Sequence, residues 1–191
     1  MNRAVFLDRD GVINRVVLRD GKPYPPPSVE ALEILPGVFE ALKALRQAGF
    51  RLIVVTNQPD VATGVQSRDG VEAIHEHICT LLPIDAIKVC YHVDRDACSC
   101  RKPKPGMLLE ATSEWSISLP DSFLVGDRWR DIGAGQAAGC RTILVQNHYS
   151  ERQAESPDAI VSSLLEASQL ILSNHFSGHV SQGEYSVSSL S

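Results

Sequence analysis

The stretch AVFLDRDG, residues 4–11, decides how this chain folds. Its first four residues are apolar, and a short apolar run of this kind indicates a strand that is buried on both faces of a sheet. Asp8 and Asp10 follow directly and lie two residues apart, so an extended chain points both carboxylates the same way. We therefore expect a buried strand that carries two carboxylates at its carboxyl end, with Gly11 behind them.

Along the rest of the chain, short β-branched runs alternate with amphipathic helical patterns. The predicted strands are residues 4–8, 51–57, 87–92, 122–127 and 141–146. The predicted helices are residues 37–50, 68–82, 106–115, 131–139 and 158–172. Regular alternation of strand and helix implies right-handed crossovers and a parallel sheet with helices on both faces. The sequence therefore predicts an α/β fold, a three-layer doubly wound parallel sheet.

The length of 191 residues suits one domain, which we place at residues 1–173. Residues 174–191 are rich in Ser and Gly and are expected to form a flexible tail. Residues 15–36 include four prolines in RVVLRDGKPYPPP, so this loop is predicted to be neither helix nor central strand. The connections leave no space for a large cap domain, so specificity must come from loops 15–27, 58–67 and 92–104.

The composition excludes several classes of partner. The net charge is −5, which disfavours a nucleic-acid partner. The apolar runs are strand-sized, which predicts no membrane span, and the start of the sequence lacks a secretory pattern, so we expect a cytoplasmic protein, monomeric or weakly homo-oligomeric. In that compartment the five cysteines are expected to be metal ligands or buried thiols, and Cys79 and Cys140 are predicted to be buried thiols.

Two more carboxylates follow the fourth predicted strand. The sequence GDRWRD places Asp127 at the strand end and Asp131 one helical turn later. In a parallel sheet these strand ends can lie beside Asp8, where clustered carboxylates repel one another unless a cation lies among them. Hard oxygen ligands of this kind suit Mg²⁺. A single loop aspartate is more typical of a helix cap or an Asx turn, so the magnesium prediction rests on the combination.

Three cysteines and a histidine lie in one polar segment, residues 89–107: Cys90, His92, Cys98 and Cys100. Three sulfurs and one nitrogen make the ligand set of a closed, structural Zn²⁺ site. Singly, such residues are usually core thiols and a surface histidine, but their spacing in a charged loop is not typical of a core. We expect a zinc-stabilised loop that positions Arg101 and Lys102 over the strand ends.

Together these motifs resemble those of the haloacid dehalogenase superfamily of phosphatases over about residues 3–172. The matching positions are Asp8 and Asp10, Thr56, Lys102, and Asp127 with Asp131. The resemblance implies that Asp8 is the nucleophile, that Asp10 is the general acid and base, and that Thr56 and Lys102 hold the phosphoryl oxygens. It also implies that Asp8, Asp10 (through its backbone carbonyl) and Asp127 bind catalytic Mg²⁺, with Asp131 in support. Asn57, Arg101 and Arg128 are the candidate substrate-binding residues.

Within that superfamily the zinc motif resembles two groups. LDRDGVIN, VVTNQ and CRKPKPGML are similar to the D-glycero-D-manno-heptose 1,7-bisphosphate 7-phosphatases. The five-residue spacer between His92 and Cys98 is closer to the histidinol-phosphate phosphatases, and the usual GDK of the heptose enzymes is Gly126-Asp127-Arg128 here. The resemblance implies a phosphoric monoester hydrolase that acts on the 7-phosphate of this sugar bisphosphate, in nucleotide-activated heptose biosynthesis.

Other functions stay open at this point. A histidinol-phosphate phosphatase and a phosphatase for another small sugar phosphate use the same motifs. Polynucleotide 3'-phosphatases share some of them, but the acidic composition argues against a nucleic-acid substrate. A non-catalytic, zinc-stabilised scaffold would have little reason to keep four clustered acids at a like-charge cost.

Overall fold

Six parallel strands form the central sheet of this computed structural model, which describes residues 1–147 and 149–173. All strands of the described residues except β2 and β3 belong to this sheet: β1 (Arg3–Leu7), β2 (Val17–Arg19), β3 (Lys22–Tyr24), β4 (Phe50–Asn57), β5 (Ala86–Cys90), β6 (Phe123–Gly126), β7 (Arg141–Val145) and β8 (Ala159–Val161). The α-helices are α1 (Val38–Gln47), α2 (Arg68–Leu81), α3 (Gly106–Trp115), α4 (Trp129–Ala138) and α5 (Leu164–Leu172).

The order of strands in the sheet is β5-β4-β1-β6-β7-β8. β1 therefore lies between β4 and β6, and it pairs with both in parallel. The strand order reverses at β1, and in open α/β sheets the crevice at such a reversal is where ligands bind. The predicted doubly wound sheet is confirmed, and β1 with its DRDG end occupies its centre.

Alternating residues of β1 build two separate cores. Val5 and Leu7 pack on the side covered by α1, α2 and α5. Ala4 and Phe6 pack on the opposite side, which is covered by α3 and α4. Since all four side chains are fully buried, β1 is covered on both faces, as its continuous apolar sequence predicts.

The helix predicted over residues 158–172 is wrong in its first part. Residues Ala159–Val161 form β8, which pairs with β7 at the edge of the sheet. The helix begins only at Leu164, because the Ser163 hydroxyl accepts a hydrogen bond from the Glu166 amide and caps it there. Pairing with β7 therefore decides the structure of residues 159–161, although the spacing of apolar residues in the sequence favoured a helix there.

Two further details refine the prediction. The proline-rich loop contains an antiparallel hairpin, β2–β3, which stands apart from the central sheet.

Cys79 is exposed and not buried as predicted, because it lies one position beyond the inward-facing Ile78 on α2, whereas Cys140 is buried. The tail predicted at residues 174–191 lies outside the described residues.

The connections after β1 and β4 contain no inserted domain within residues 1–147 and 149–173. The longest helix described, α2, has 14 residues, and none in that part of the chain combines the length and apolar character needed to span a bilayer.

Candidate active site

Asp8 and Asp127 extend the adjacent strands β1 and β6, and the turn of α4 brings Asp131 beside them. Carboxylate oxygens of the three residues lie within 4.8 Å of one another, and all three side chains are buried. Gly11 makes this approach possible, because a side chain there would overlap the Asp127 carboxylate. The structure therefore brings together the strand-end carboxylates that the sequence indicated.

Burial and mutual repulsion disfavour the ionised forms of Asp8 and Asp127. Burial, followed by repulsion from Asp131, raises the pKa of Asp8 to about 6. Burial and the nearby Asp8 raise the pKa of Asp127 well above its usual range. Asp127 Oδ1 is buried and has no hydrogen-bond partner among the described residues. An orphaned oxygen beside two further carboxylates is the donor set that suits Mg²⁺, so these residues fit a divalent cation.

Lys102 enters this cluster from the loop that follows β5. Its Nζ donates to Asp8 Oδ1 at 2.7 Å, to Asp131 Oδ1 at 2.5 Å and to the Val55 carbonyl at 2.7 Å. The residue is 2% exposed. Burial alone would lower the pKa of Lys102, but the two carboxylates outweigh it and raise that pKa, so the ammonium stays charged.

Asp10 faces the same cavity, but its carboxylate belongs to a different network. Asn14 Nδ2 donates to its Oδ1 at 3.0 Å, and Gln58 Nε2 donates to its Oδ2 at 2.8 Å. Arg9 donates to both oxygens. Burial would raise the pKa of Asp10, but Arg9 and these amides outweigh it and hold the pKa below its usual range. Asp10 is therefore ionised at neutral pH.

Thr56 and Asn57, at the end of β4, both line the cavity. Thr56 Oγ1 accepts a hydrogen bond from Gln58 Nε2 at 2.9 Å. The Asn57 side chain brackets the peptide of Lys102, accepting from its amide at 3.1 Å and donating to its carbonyl at 3.2 Å. Asn57 thus fixes the lysine, a role that its prediction as a substrate-binding residue did not include.

Arg101 and Arg128 line the cavity as well, and each is held by an acid. Arg101 Nε donates to Asp94 at 2.7 Å, and Arg128 pairs with Glu151 through both Nε and Nη2.

The cavity has a volume of about 350 Å³. Sequence reasoning did not single out several of its lining residues, because which side chain of a loop or helix faces the cavity depends on tertiary packing: Lys22, Asp60, Arg130, Ser150 and Glu151. All three loops that were expected to supply specificity do contribute to the lining.

The predicted zinc ligands converge in the loop that leads to Arg101 and Lys102. Ligand atoms of Cys90, His92, Cys98 and Cys100 lie within 4.8 Å of one another. The sulfur–sulfur distances are 3.2–3.7 Å, and His92 Nδ1 lies 3.3 and 3.6 Å from two of the sulfurs. A tetrahedron of ligands about 2.3 Å from zinc has edges of about 3.5–3.8 Å. The four residues therefore fit a structural Zn²⁺ ion, and the sulfurs are too far apart for a disulfide.

Comparisons with known proteins point to phosphatases, in agreement with the carboxylates and the lysine that the cavity contains. The HAD-hydrolase-like family model matches residues 99–167. A D-glycero-beta-D-manno-heptose-1,7-bisphosphate 7-phosphatase from Helicobacter pylori is 35% identical over 154 residues, 76% of this chain and 86% of that protein. A D-glycero-alpha-D-manno-heptose-1,7-bisphosphate 7-phosphatase from Burkholderia mallei is 36% identical over 176 residues, 84% of this chain and 88% of that protein.

A solved structure is similar over nearly its whole length. The crystal structure of D,D-heptose 1,7-bisphosphate phosphatase from B. bronchiseptica, complexed with magnesium and phosphate, matches with a TM-score of 0.75. The two sequences are 29% identical, and the match covers 90% of this chain and 99% of that chain.

A doubly wound sheet with carboxylates at the ends of two adjacent central strands, and a lysine among them, defines a hydrolase of the haloacid dehalogenase class. The relatives narrow that class, since they are more than 30% identical over most of their length. The chain belongs to the family of D-glycero-D-manno-heptose-1,7-bisphosphate 7-phosphatases.

Proposed function

We propose that this protein is a Mg²⁺-dependent phosphatase that removes the 7-phosphate of D-glycero-D-manno-heptose 1,7-bisphosphate, in the biosynthesis of nucleotide-activated heptose. One observation carries the proposal: Asp8, paired with Lys102 in a carboxylate cluster, lies in a cavity with five cationic lining residues. The lining also contains five carboxylates, so its charges balance, whereas the whole chain has a net charge of −5; the cavity is therefore less negative than the rest of the protein and better suited to an anionic substrate. The names of the relatives identify the substrate class.

In the first step an Asp8 oxygen attacks the phosphorus of the 7-phosphate, and the bond from phosphorus to the sugar oxygen breaks. Lys102 and Thr56 hold the phosphoryl oxygens, whose charge they help to neutralise. Asp8, Asp127 and the backbone carbonyl of Asp10 would bind Mg²⁺, with Asp131 holding Lys102. When bound, that ion reduces the repulsion between the carboxylate and the phosphate.

Asp10 moves the protons in both steps. In the first step it protonates the leaving sugar oxygen, so it must itself take up a proton as the anionic phosphate arrives and raises its proton affinity. In the second step it is the base: it removes a proton from water, whose oxygen attacks phosphorus and returns the electron pair to Asp8. The lowered pKa of Asp10 in the resting protein keeps the carboxylate ionised, which is the form that this second role requires.

The second phosphate of a bisphosphate needs its own cations. Arg101 and Arg128 line the cavity as guanidinium groups, whose charge and remaining N–H donors suit a phosphate. Structural Zn²⁺ at Cys90, His92, Cys98 and Cys100 would fix the loop that carries Arg101 before substrate arrives. Thiolate ligands of this kind are consistent with a reducing compartment such as the cytoplasm.

The proposal is tested by phosphate release from both anomers of heptose 1,7-bisphosphate, with histidinol phosphate beside them, each with and without Mg²⁺. We expect kcat/KM at least a hundredfold higher for a heptose bisphosphate than for histidinol phosphate, and no turnover without Mg²⁺. Preference for histidinol phosphate would overturn the substrate while keeping the phosphatase chemistry. The preferred anomer is then read from the same experiment.

A further inference from the structure

Arg9 is a fully buried arginine between the two catalytic aspartates in sequence, and no part of the reaction above uses it. Its Nε donates to both Asp10 oxygens at 3.2 Å, and its Nη2 donates to the same oxygens at 3.0 and 2.9 Å. A buried guanidinium is costly unless it is paired. Here its acidic partner is the one carboxylate that must transfer protons.

The other end of the guanidinium meets a histidine on α2. Arg9 Nη1 lies 2.8 Å from His75 Nε2, and both residues are buried. Arginine can only donate, so Nε2 must accept and the imidazole must be neutral. Burial and the Arg9 charge lower the pKa of His75 to about 4, which is consistent with that form. The Nδ1 atom, which carries the proton, lies 3.7 Å from a Glu72 oxygen.

Arg9 and the two amides hold Asp10 from its buried side, which substrate cannot reach. Asn14 and Gln58 each donate to one Asp10 oxygen, and Arg9 spans both. The Asp10 side chain keeps 17% of its surface exposed, on the cavity that it shares with Asp8. His75 restrains Arg9 in turn, because it occupies the guanidinium edge that does not touch Asp10.

We propose that Arg9 and His75 are positioning residues that hold the Asp10 carboxylate in place as the base for hydrolysis of the aspartyl-phosphate. This inference rests on the proposed phosphatase function but not on the sugar. In the step concerned, Asp10 takes a proton from water and the water oxygen bonds to phosphorus. The bond from phosphorus to the Asp8 oxygen breaks, and inorganic phosphate leaves. If this base is displaced by a fraction of an ångström, the rate of hydrolysis falls more than the affinity for substrate does.

p-Nitrophenyl phosphate separates this role from a general structural one. Its leaving group departs as a stable anion and needs no proton, so phosphorylation of Asp8 does not depend on Asp10. In His75→Leu we expect turnover to fall at least tenfold with KM changed less than threefold. We also expect a burst of about one p-nitrophenolate per active site, and acid-stable trapping of the phosphoenzyme after quenching.

The chain offers matched controls. His77 is exposed on the same helix, so His77→Leu tests the substitution itself and should give no burst. His75→Gln places an acceptor oxygen near the position of Nε2 and should restore most of the turnover. Arg9→Lys keeps the charge but cannot span both Asp10 oxygens, and it should also accumulate phosphoenzyme. Thermal unfolding of each variant, with Mg²⁺ and Zn²⁺ present, identifies the folded ones.

The outcomes separate the two proposals. If folded His75→Leu and Arg9→Lys turn over normally, or slow down without any burst, the positioning role is wrong. If wild-type protein turns over p-nitrophenyl phosphate but no heptose bisphosphate, the sugar assignment fails, and a burst in the variants still supports the positioning role. If wild-type protein with Mg²⁺ turns over neither substrate, both proposals are overturned.

Discussion

Lys102 Nζ lies 2.7 Å from Asp8 Oδ1, so the proposed nucleophile is paired with a cation before any substrate arrives. Lys102 lies in the loop after β5. The Asn57 side chain fixes its backbone there, with one hydrogen bond to the amide and one to the carbonyl. A pair buried to this degree is strongly coupled, because the local dielectric is low. Removal of one partner therefore affects the fold and the chemistry together.

Lys102→Met is the direct test of that coupling. It leaves Asp8 and Asp131 buried without their shared cation, and breaking a buried ion pair from one side costs about 3–5 kcal/mol. We expect the free energy of unfolding to fall by about that amount, measured in urea, and phosphatase activity to fall about a hundredfold or more. Lys43→Met, on the exposed face of α1, should change neither quantity measurably. Equal effects of the two substitutions would contradict the pairing.

Magnesium binding is expected to depend on pH through Asp8. Its folded-state pKa of about 6 lies above the ordinary value of 3.8, so metal-free protein loses stability as pH rises through that window. Mg²⁺ competes with the proton for the same carboxylate. We therefore expect the increase in Tm caused by Mg²⁺ to be small at about pH 5 and to grow above about pH 6, as measured by calorimetry.

Asp8→Asn provides the control for this pH dependence. The variant has no carboxylate to titrate at position 8, but Asp127 keeps a pKa that burial raises, so the Mg²⁺-induced increase in Tm should be smaller at both pH values and should depend on pH less steeply than in the wild type. Its phosphatase activity should fall about a thousandfold or more, since the nucleophile is gone. A wild-type Mg²⁺ effect on Tm that is the same at both pH values would argue against Asp8 as a ligand.

Zinc is expected to stabilise the loop that carries Arg101 and Lys102. Protein purified without chelators should contain about one Zn²⁺ per chain by elemental analysis, and Cys98→Ser should lose it. The Tm should fall by several degrees in that variant because the four ligands hold residues 90–100 together. Cys79→Ser, at an exposed thiol outside the cluster, should keep both zinc and Tm. Full zinc content in Cys98→Ser would remove this residue from the ligand set.

Much of the fold and of the cluster was predictable because the signals are local. One buried strand ends in DRDG and another ends in GD. Because these strands pair in parallel, their carboxylates lie close together at the same edge of the sheet. The zinc ligands likewise lie within eleven consecutive residues, 90–100. The burial of Arg9 against His75, 66 residues away, and the pairing of Arg128 with Glu151 depend on how separate loops and helices pack. No local pattern encodes those contacts, so sequence reasoning missed them.

Arg101 is expected to act on substrate affinity more than on the chemical step. Its guanidinium lines the cavity and is held by Asp94 and the His92 carbonyl. Arg101→Met should raise KM for the heptose bisphosphate about tenfold or more, with a smaller change in kcat, because a guanidinium–phosphate contact contributes about 1.5–3 kcal/mol. Arg95→Met, at an exposed position of the same loop outside the cavity, is the matched control and should leave KM within twofold. A loss confined to kcat would instead place Arg101 at the transferring phosphoryl group beside Lys102.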